Sequence, residues 1–169
     1  MNTVLSAWNE ADDASALEAM LACCGARRWA EAMIALRPFL NVESLSLTAN
    51  EVWNTMEEAD WLEAFSKHPR IGERRPAAAP TQSAAWSAQE QSGATRATND
   101  TLDQIARGNA EYEQCFGFTY IVCATGKSAG EMLAILQRRL CSNRAAEMRE
   151  AAEQQRQIMQ IRLGKWLTE

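Results

Sequence analysis

The chain contains a single histidine, His68, and its surroundings favour acid–base chemistry. Pro69 follows it, and a residue before proline is disfavoured in helical geometry, so we expect a helix to end at His68. The helix dipole at that end stabilises a cationic imidazole, and an ordinary histidine titrates near ~6.5. His68 is therefore a candidate general acid or base. The structural alternative is a surface histidine that only ends a helix.

A second candidate is Arg162, near the end of the chain. At 100° per residue it falls inside the apolar arc of Met159, Leu163 and Trp166. A guanidinium cannot lose its proton to escape burial, so it needs an anion or a route to water. Arg162 could bind a substrate carboxylate through its planar fork. The alternatives are an internal ion pair or a stem that reaches solvent.

A third group of polar residues begins at Ser87. The spacing Ser87-x-x-Glu90 is typical of a capping box, and that structural function would account for both residues. Gln91 continues a helical stripe that runs on to Leu102 and Asn109, and polar groups on such a stripe indicate a wet internal pocket. The alternative is that the intervening glycines break the helical phase.

The composition limits the class of protein. Hydrophobic residues make up 47% and charged residues 23% of the 169 positions, which suits one domain over residues 1–169 with one sizeable core. The formal charge of −5 argues against a general nucleic-acid binder. No apolar run approaches the ~20 residues that cross a bilayer, so we expect no membrane partner. A lone histidine excludes zinc sites built from two or three histidines, and we assign no residue to a metal.

The five cysteines include no C-x-x-C pair, and four of them have apolar or small neighbours, which is typical of buried thiols in a reducing cytoplasm. We therefore expect a cytoplasmic protein. Glycine-rich nucleotide motifs and a G-x-S-x-G elbow do not occur in the sequence.

The elements that must position these residues are helices. Apolar periodicity predicts an all-α fold, a compact single-domain helical bundle, with start signals at Asp12 or Asp13, a capping box at Ser128-x-x-Glu131 and a cap at Asn143. The predicted helical stretches cover residues 17–24, 29–36, from near 48, 61–68 with Asp60 as cap, 87–117, 132–140 and 143–166. Residues 69–86 lack any hydrophobic period and predict a long loop. Residues 118–124 have strand-like composition but no partner strand, so we expect extended, buried chain.

Three motifs, in this order along the chain, carry a family resemblance. They are His68-Pro69-Arg70-Ile71-Gly72, then Trp86-Ser87-x-x-Glu90-Gln91-x-Gly93-Ala94, and then Phe116-Gly117-Phe118-x-Tyr120-Ile121-Val122-Cys123-Ala124-x-Gly126-Lys127-Ser128. Together with Arg162-Leu163, they resemble the OHCU decarboxylase family, where OHCU is 2-oxo-4-hydroxy-4-carboxy-5-ureidoimidazoline. The resemblance covers nearly the whole chain.

The resemblance implies a helical bundle that works without a cofactor and forms (S)-allantoin in urate degradation. It also implies the site residues. The family's catalytic histidine corresponds to His68, followed by Pro69, and its acidic partner to Glu90, beside Ser87 and Gln91. Substrate-binding positions correspond to Tyr120, Ile121, Val122, Cys123, Ala124 and Arg162.

The expected partner is a small anionic substrate, and apolar residues near the chain ends would permit a homodimer. OHCU carries a carboxylate on C4 beside a C5=N bond, which can absorb the electron pair released with CO2. We therefore expect His68 to work as the general acid–base without pyridoxal phosphate or thiamine.

Two other functions remain open at this point. The chain could be a non-catalytic helical interaction module, whose tryptophans and methionines form a core and a partner surface. It could also be a different cofactor-free lyase or hydrolase acting on another ureide.

Overall fold

The structure, a computed structural model of the chain, describes residues 2–73 and 81–169. This part contains nine α-helices, one 3-10 helix and no β-strand, which confirms the all-α prediction. The α-helices are α1 (Thr3–Glu10), α2 (Asp13–Cys23), α3 (Arg27–Ala35), α4 (Val42–Asn54), α5 (Glu58–Ser66), α6 (Gln82–Glu90), α7 (Asn99–Phe116), α8 (Ala129–Arg139) and α9 (Arg144–Trp166); the 3-10 helix is Ser92–Arg96.

The helices form two units. The first unit comprises Met1–Ala64 and Arg156–Glu169 and thus contains α1 to α4, most of α5 and the last part of α9. Its core includes Trp29, which is fully buried on α3 and donates its indole N–H to the carbonyl of Ala49 on α4. Trp8 on α1 donates in the same way to Ala16 on α2. A buried indole with a hydrogen-bond partner contributes apolar area without an unpaired donor.

The second unit comprises Phe65–Gln155 and carries most of the candidate site. Its centre is the packing of α7 against α8, where Gly108 lies directly beneath Leu136: a Cβ at Gly108 would come within 2.6 Å of that side chain. Tyr112 on α7 contacts Phe118 and Tyr120, which lie in the segment between the two helices. The aromatic rings therefore join this segment to the helical core.

The predicted extended segment is confirmed. Residues 118–124 form neither helix nor strand, and all except Thr119 are buried. The predicted caps at Asp12, Ser128 and Asn143 are also confirmed, since each side chain accepts a backbone N–H three residues further on. For Ser128 the capping box is complete, because Glu131 accepts from its backbone in return.

Two predictions around α6 are wrong. The long loop was predicted to extend to Trp86, but α6 begins at Gln82 and is capped by Thr81. Ser87 and Glu90 therefore lie in its last turns and do not form an N-terminal capping box. The helix escapes pattern recognition because QSAAWSAQE contains one large apolar residue. Residues 74–80 of the predicted loop lie outside the described residues.

Other boundaries also differ. The helix predicted over residues 87–117 is interrupted after Glu90, so Gln91 does not continue the helical stripe of α7. Helix α4 begins at Val42 instead of near Thr48, because Asn41 and Ser44 form a capping box while Val42 and Leu47 stay exposed and hide the period. Helix α1 has no counterpart among the predicted helices, since it buries only Leu5 and Trp8.

Among the helices of residues 2–73 and 81–169, none combines the length and the hydropathy that crossing a bilayer requires. The single-domain organisation over residues 1–169 stays a prediction.

Candidate active site

His68 lies just beyond the end of α5, as its proline neighbour predicts. Its backbone N–H donates to the carbonyl of Phe65, and its side chain is half-buried. The imidazole Nε2 lies 2.6 Å from the side-chain Oε1 of Gln155, a fully buried residue of α9. An amide oxygen only accepts, so Nε2 carries the hydrogen of this bond.

A turn over Arg70–Glu73 follows His68 and Pro69. The N–H of Glu73 donates to the carbonyl of Arg70, and Gly72 has φ +79°, a conformation that favours glycine. Pro69 itself is half-buried. The chain that leaves the candidate catalytic histidine therefore has a defined direction.

Side chains from two other segments hold this turn. Asn109 on α7 donates to the carbonyl of Ile71 at 3.0 Å, and Gln91 accepts from the N–H of Gly72 at 3.0 Å. Arg70 binds Glu113 through two bonds of 2.7 and 2.8 Å, and this guanidinium lowers the pKa of the Glu113 carboxyl. Gln91 and Asn109 were predicted to lie on one helical stripe. They lie on different segments, and both bind the backbone of the 70–73 turn.

The last turns of α6 bring Ser87 and Glu90 to one face of the helix. Both are buried, with 4% and 8% of their surfaces exposed, and Trp86 is buried beside them. A carboxyl group buried to this extent is expensive unless hydrogen-bonded or charge-paired, and each of the two residues has interaction partners. Glu90 therefore lies in an interior environment.

Side chains bind the backbone of the segment from Tyr120 to Ala124, whereas a β-strand is held by backbone hydrogen bonds to an adjacent strand. Arg139 donates to the carbonyl of Ile121 at 2.5 Å, and Gln154 accepts from the N–H of Cys123 at 2.8 Å. Lys127 donates to the carbonyl of Cys123 at 2.8 Å. The side chains of all five residues are buried, Val122 among them, and the Tyr120 hydroxyl donates to the carbonyl of Met132.

Arg139 belongs to a buried polar cluster that the sequence predictions do not include. Its Nε lies 2.7 Å from Glu147, which also accepts from the Tyr112 hydroxyl at 2.7 Å. Burial alone would lower the pKa of Arg139, but the carboxylate of Glu147 raises it, so the guanidinium stays charged. Burial raises the pKa values of Tyr112 and Tyr120, so both phenols stay neutral.

Arg162 lies in the first unit and is buried on α9, as its place in the apolar arc predicts. Only 3% of its surface is exposed, and Nη1 lies 3.4 Å from the carbonyl of Ala22. Burial raises the pKa of Cys24 to about 12, although the charge of Arg162 opposes this shift. Arg162 therefore places a permanent positive charge near the neutral thiol of Cys24.

Ten of the eleven predicted site residues lie in the second unit, and Arg162 lies in the first. Within the second unit, hydrogen bonds join His68 to α9 through Gln155, Gln91 to the 70–73 turn, and the 120–124 segment to α8 and α9. In residues 2–73 and 81–169, no three His, Cys, Asp or Glu side chains are grouped as metal ligands would be.

Sequence patterns contain signals for two residues that were missed. Arg139 follows Met132 and Leu136 on the apolar face of α8, the same signal that identified Arg162. Gln155 lies one turn from the buried residues Ala151 and Met159 of α9. In both cases a polar residue occupies an apolar helical face.

The motifs, their order and the all-helical fold agree with the comparison to known proteins. The model of the OHCU decarboxylase family matches residues 9–164. The chain belongs to the OHCU decarboxylase family. The family consists of carboxy-lyases, and its model covers all eleven predicted site residues of this member.

Two curated relatives differ in how much of their sequence this chain matches. The uric acid degradation bifunctional protein TTL of Arabidopsis thaliana is 36% identical over 145 residues, which are 85% of this chain and 44% of that protein. The 2-oxo-4-hydroxy-4-carboxy-5-ureidoimidazoline decarboxylase of Amia calva is 28% identical over 75% of this chain and 73% of its own length. The chain therefore spans less than half the length of the plant relative.

A solved structure of OHCU decarboxylase, crystallised in the presence of (S)-allantoin, matches with a TM-score of 0.78 and 30% sequence identity. The match covers 94% of this chain and the whole of that one. A structure of (S)-allantoin synthase matches with a TM-score of 0.69 at 17% identity, which supports the fold alone.

Proposed function

We propose that this chain catalyses the decarboxylation of OHCU to (S)-allantoin in urate degradation. The observation that carries the proposal is the family match over residues 9–164, which includes His68 and Glu90. The solved relative supports the product, since that OHCU decarboxylase was crystallised in the presence of (S)-allantoin.

The reaction needs little beyond orientation and a proton. The bond between C4 and its carboxylate breaks, CO2 leaves, and the electron pair moves into the adjacent C5=N bond to give an enamine-like anion. One proton then adds to C4 and converts the anion to allantoin. The substrate supplies its own electron sink, and the protein fixes the geometry and delivers the proton to one face.

His68 is assigned to proton transfer at the C4 hydroxyl and at C4. The assignment is supported by the 2.6 Å contact of its Nε2 with Gln155, by its half-buried position and by the turn fixed directly after it. A histidine held in one orientation can protonate a single face, which accounts for a single enantiomer of the product.

The other assignments follow the family motifs. Glu90, buried on α6 with Ser87, orients His68 or holds the ureido N–H groups. Main-chain groups of residues 120–124 match the donors and acceptors of the ring. Arg162 binds the ionised carboxylate, a task that suits a buried permanent charge.

The experiment that tests the function is circular dichroism of the product. Freshly generated OHCU decays spontaneously to racemic allantoin, so an enzyme is detected as an optically active excess over the buffer control. We expect (S)-allantoin to form faster than the spontaneous decay. A racemic product at the buffer rate would support the interaction module, and turnover of allantoin, allantoate or 5-hydroxyisourate in place of OHCU would support another ureide enzyme.

A cytoplasmic location and a homodimer complete the proposal. Leu40 and Leu47 in the first unit are exposed apolar side chains that a homodimer contact would cover. Sedimentation equilibrium of the purified chain tests it, and a monomer mass at all concentrations would contradict it.

A further inference from the structure

Gln155 is a polar residue at a fully buried position of α9. Its Oε1 lies 2.6 Å from His68 Nε2, whereas its own Nε2 has no hydrogen-bond partner within the described chain. Ala151, Ala152 and Met159, one turn away on the same helix, are apolar and buried. A buried amide with one unpaired end is less favourable than an apolar side chain of similar size. Packing therefore does not account for a glutamine here, but the contact with His68 does.

The contact determines which nitrogen of the ring carries hydrogen. Because Oε1 offers only lone pairs, Nε2 of His68 is the donor, and in the neutral ring the lone pair lies on Nδ1. We propose that Gln155 is a positioning residue for His68: it holds the ring through Nε2–H and so fixes the tautomer and the orientation of the imidazole for the proton transfer. This inference rests on the function proposed above, in which His68 is the acid–base group.

A glutamine achieves this without adding charge. Catalytic histidines are commonly oriented by a carboxylate, which also stabilises the cationic ring. An amide oxygen accepts the same hydrogen bond but favours the cation less, so the ring gives up its proton more readily. Gln155 thus fixes the tautomer of the imidazole without placing a second charge beside the ring.

The test uses the fact that the chain has one histidine, so every imidazole signal belongs to His68. We would record ¹H–¹⁵N spectra of histidine-labelled protein for the wild type, Gln155→Met and Gln155→Glu. Gln137→Met on α8 is the control, since Gln137 is an exposed glutamine. We expect a slowly exchanging Nε2–H signal in the wild type, Gln155→Glu and the control. In Gln155→Met, which lacks the acceptor, this signal should disappear.

Two further readouts separate positioning from folding. In Gln155→Glu the carboxylate should raise the imidazole titration midpoint, because it stabilises the cation. In Gln155→Met we expect kcat to fall by about tenfold or more, as when the partner of a working histidine is removed. KM should stay within about threefold, since the substrate contacts remain.

The proposal is overturned if folded wild type lacks the protected Nε2–H signal, or if that signal persists in Gln155→Met. An unchanged midpoint in Gln155→Glu overturns it as well, and this measurement decides even if Gln155→Met does not fold. If the spectra behave as expected but no optically active product forms, the hydrogen bond stands and the decarboxylase function fails. The two proposals are therefore distinguishable.

Discussion

Gly93 lies against the backbone of Lys127, so closely that a Cβ at Gly93 would come within 2.1 Å of the Lys127 carbonyl oxygen. The contact brings the 3-10 helix that follows Gln91 next to the chain that follows Ala124. Two segments of the candidate site are thus held together at a point where only glycine fits.

Gly93→Ala is expected to destabilise the protein by about 1–3 kcal/mol, because the backbone must shift to admit one methyl group. The melting temperature should fall by roughly 2–10 °C on this basis. Gly130→Ala in helix α8 is the matched control, since a Cβ at Gly130 would have its nearest neighbour at 3.9 Å. Equal melting temperatures of the two variants would contradict the close contact.

Arg139→Met is expected to destabilise the fold by about 3–5 kcal/mol, because it leaves the buried carboxylate of Glu147 without its partner. Urea unfolding measures the difference, with the exposed neighbour Arg138→Met as control. Replacing Arg139 by Met and Glu147 by Leu together should cost less than the sum of the single changes, since no charge is then left unpaired. If Arg139→Met were as stable as its control, the buried ion pair would not be structural.

His68→Asn is expected to slow formation of (S)-allantoin by at least about 100-fold, the lower end of general acid–base assistance. The far-ultraviolet circular dichroism should stay unchanged. The adjacent exposed Lys67 provides the control, Lys67→Asn, which should keep the wild-type rate. An undiminished rate in folded His68→Asn would leave His68 with a structural function only.

Arg162→Lys is expected to raise KM by about 10-fold or more, because a lysine keeps the charge but loses the fork that binds a carboxylate through two bonds. Steady-state kinetics measure this, with the exposed Arg149→Lys of α9 as control. Loss of soluble protein with an unchanged KM in the remainder would instead support an internal ion pair.

Thiol reagents are expected to modify two cysteines in the native protein, the exposed Cys115 and Cys141. Cys24 is buried, and with its pKa raised to about 12 it remains a neutral thiol at pH 8, where the reactive thiolate is rare. All five should react in denaturant. Reaction of more than two thiols per folded chain would show that the buried thiols are accessible.

Three helix caps predicted from the sequence are correct, and a fourth, the capping box at Ser87-x-x-Glu90, is wrong because α6 begins at Gln82. Asp12, Ser128 and Asn143 were identified as caps because capping depends on residues within one turn. Helix α6 was missed because its helical propensity comes from alanine and glutamine, which leave no apolar period.

Long-range polar contacts could not be predicted in the same way. The bonds of Gln155 to His68 and of Gln154 to Cys123 join residues 87 and 31 positions apart. Nothing near Gln155 or Gln154 in the sequence indicates which distant residue it meets, because that depends on how the helices pack. A polar residue on an apolar helical face signals that a partner exists without naming it.

The segment of residues 120–124 is secured by separate side chains from the flanking loop and helices. A strand in a sheet shifts as a whole when its ladder changes register, whereas here the Ile121 carbonyl and the N–H and carbonyl of Cys123 are held by three different side chains. Single substitutions at Gln154 or Lys127 can thus move one peptide group at a time. Under the proposed function, such an arrangement lets the contacts with the substrate ring change one at a time while the helices stay in place.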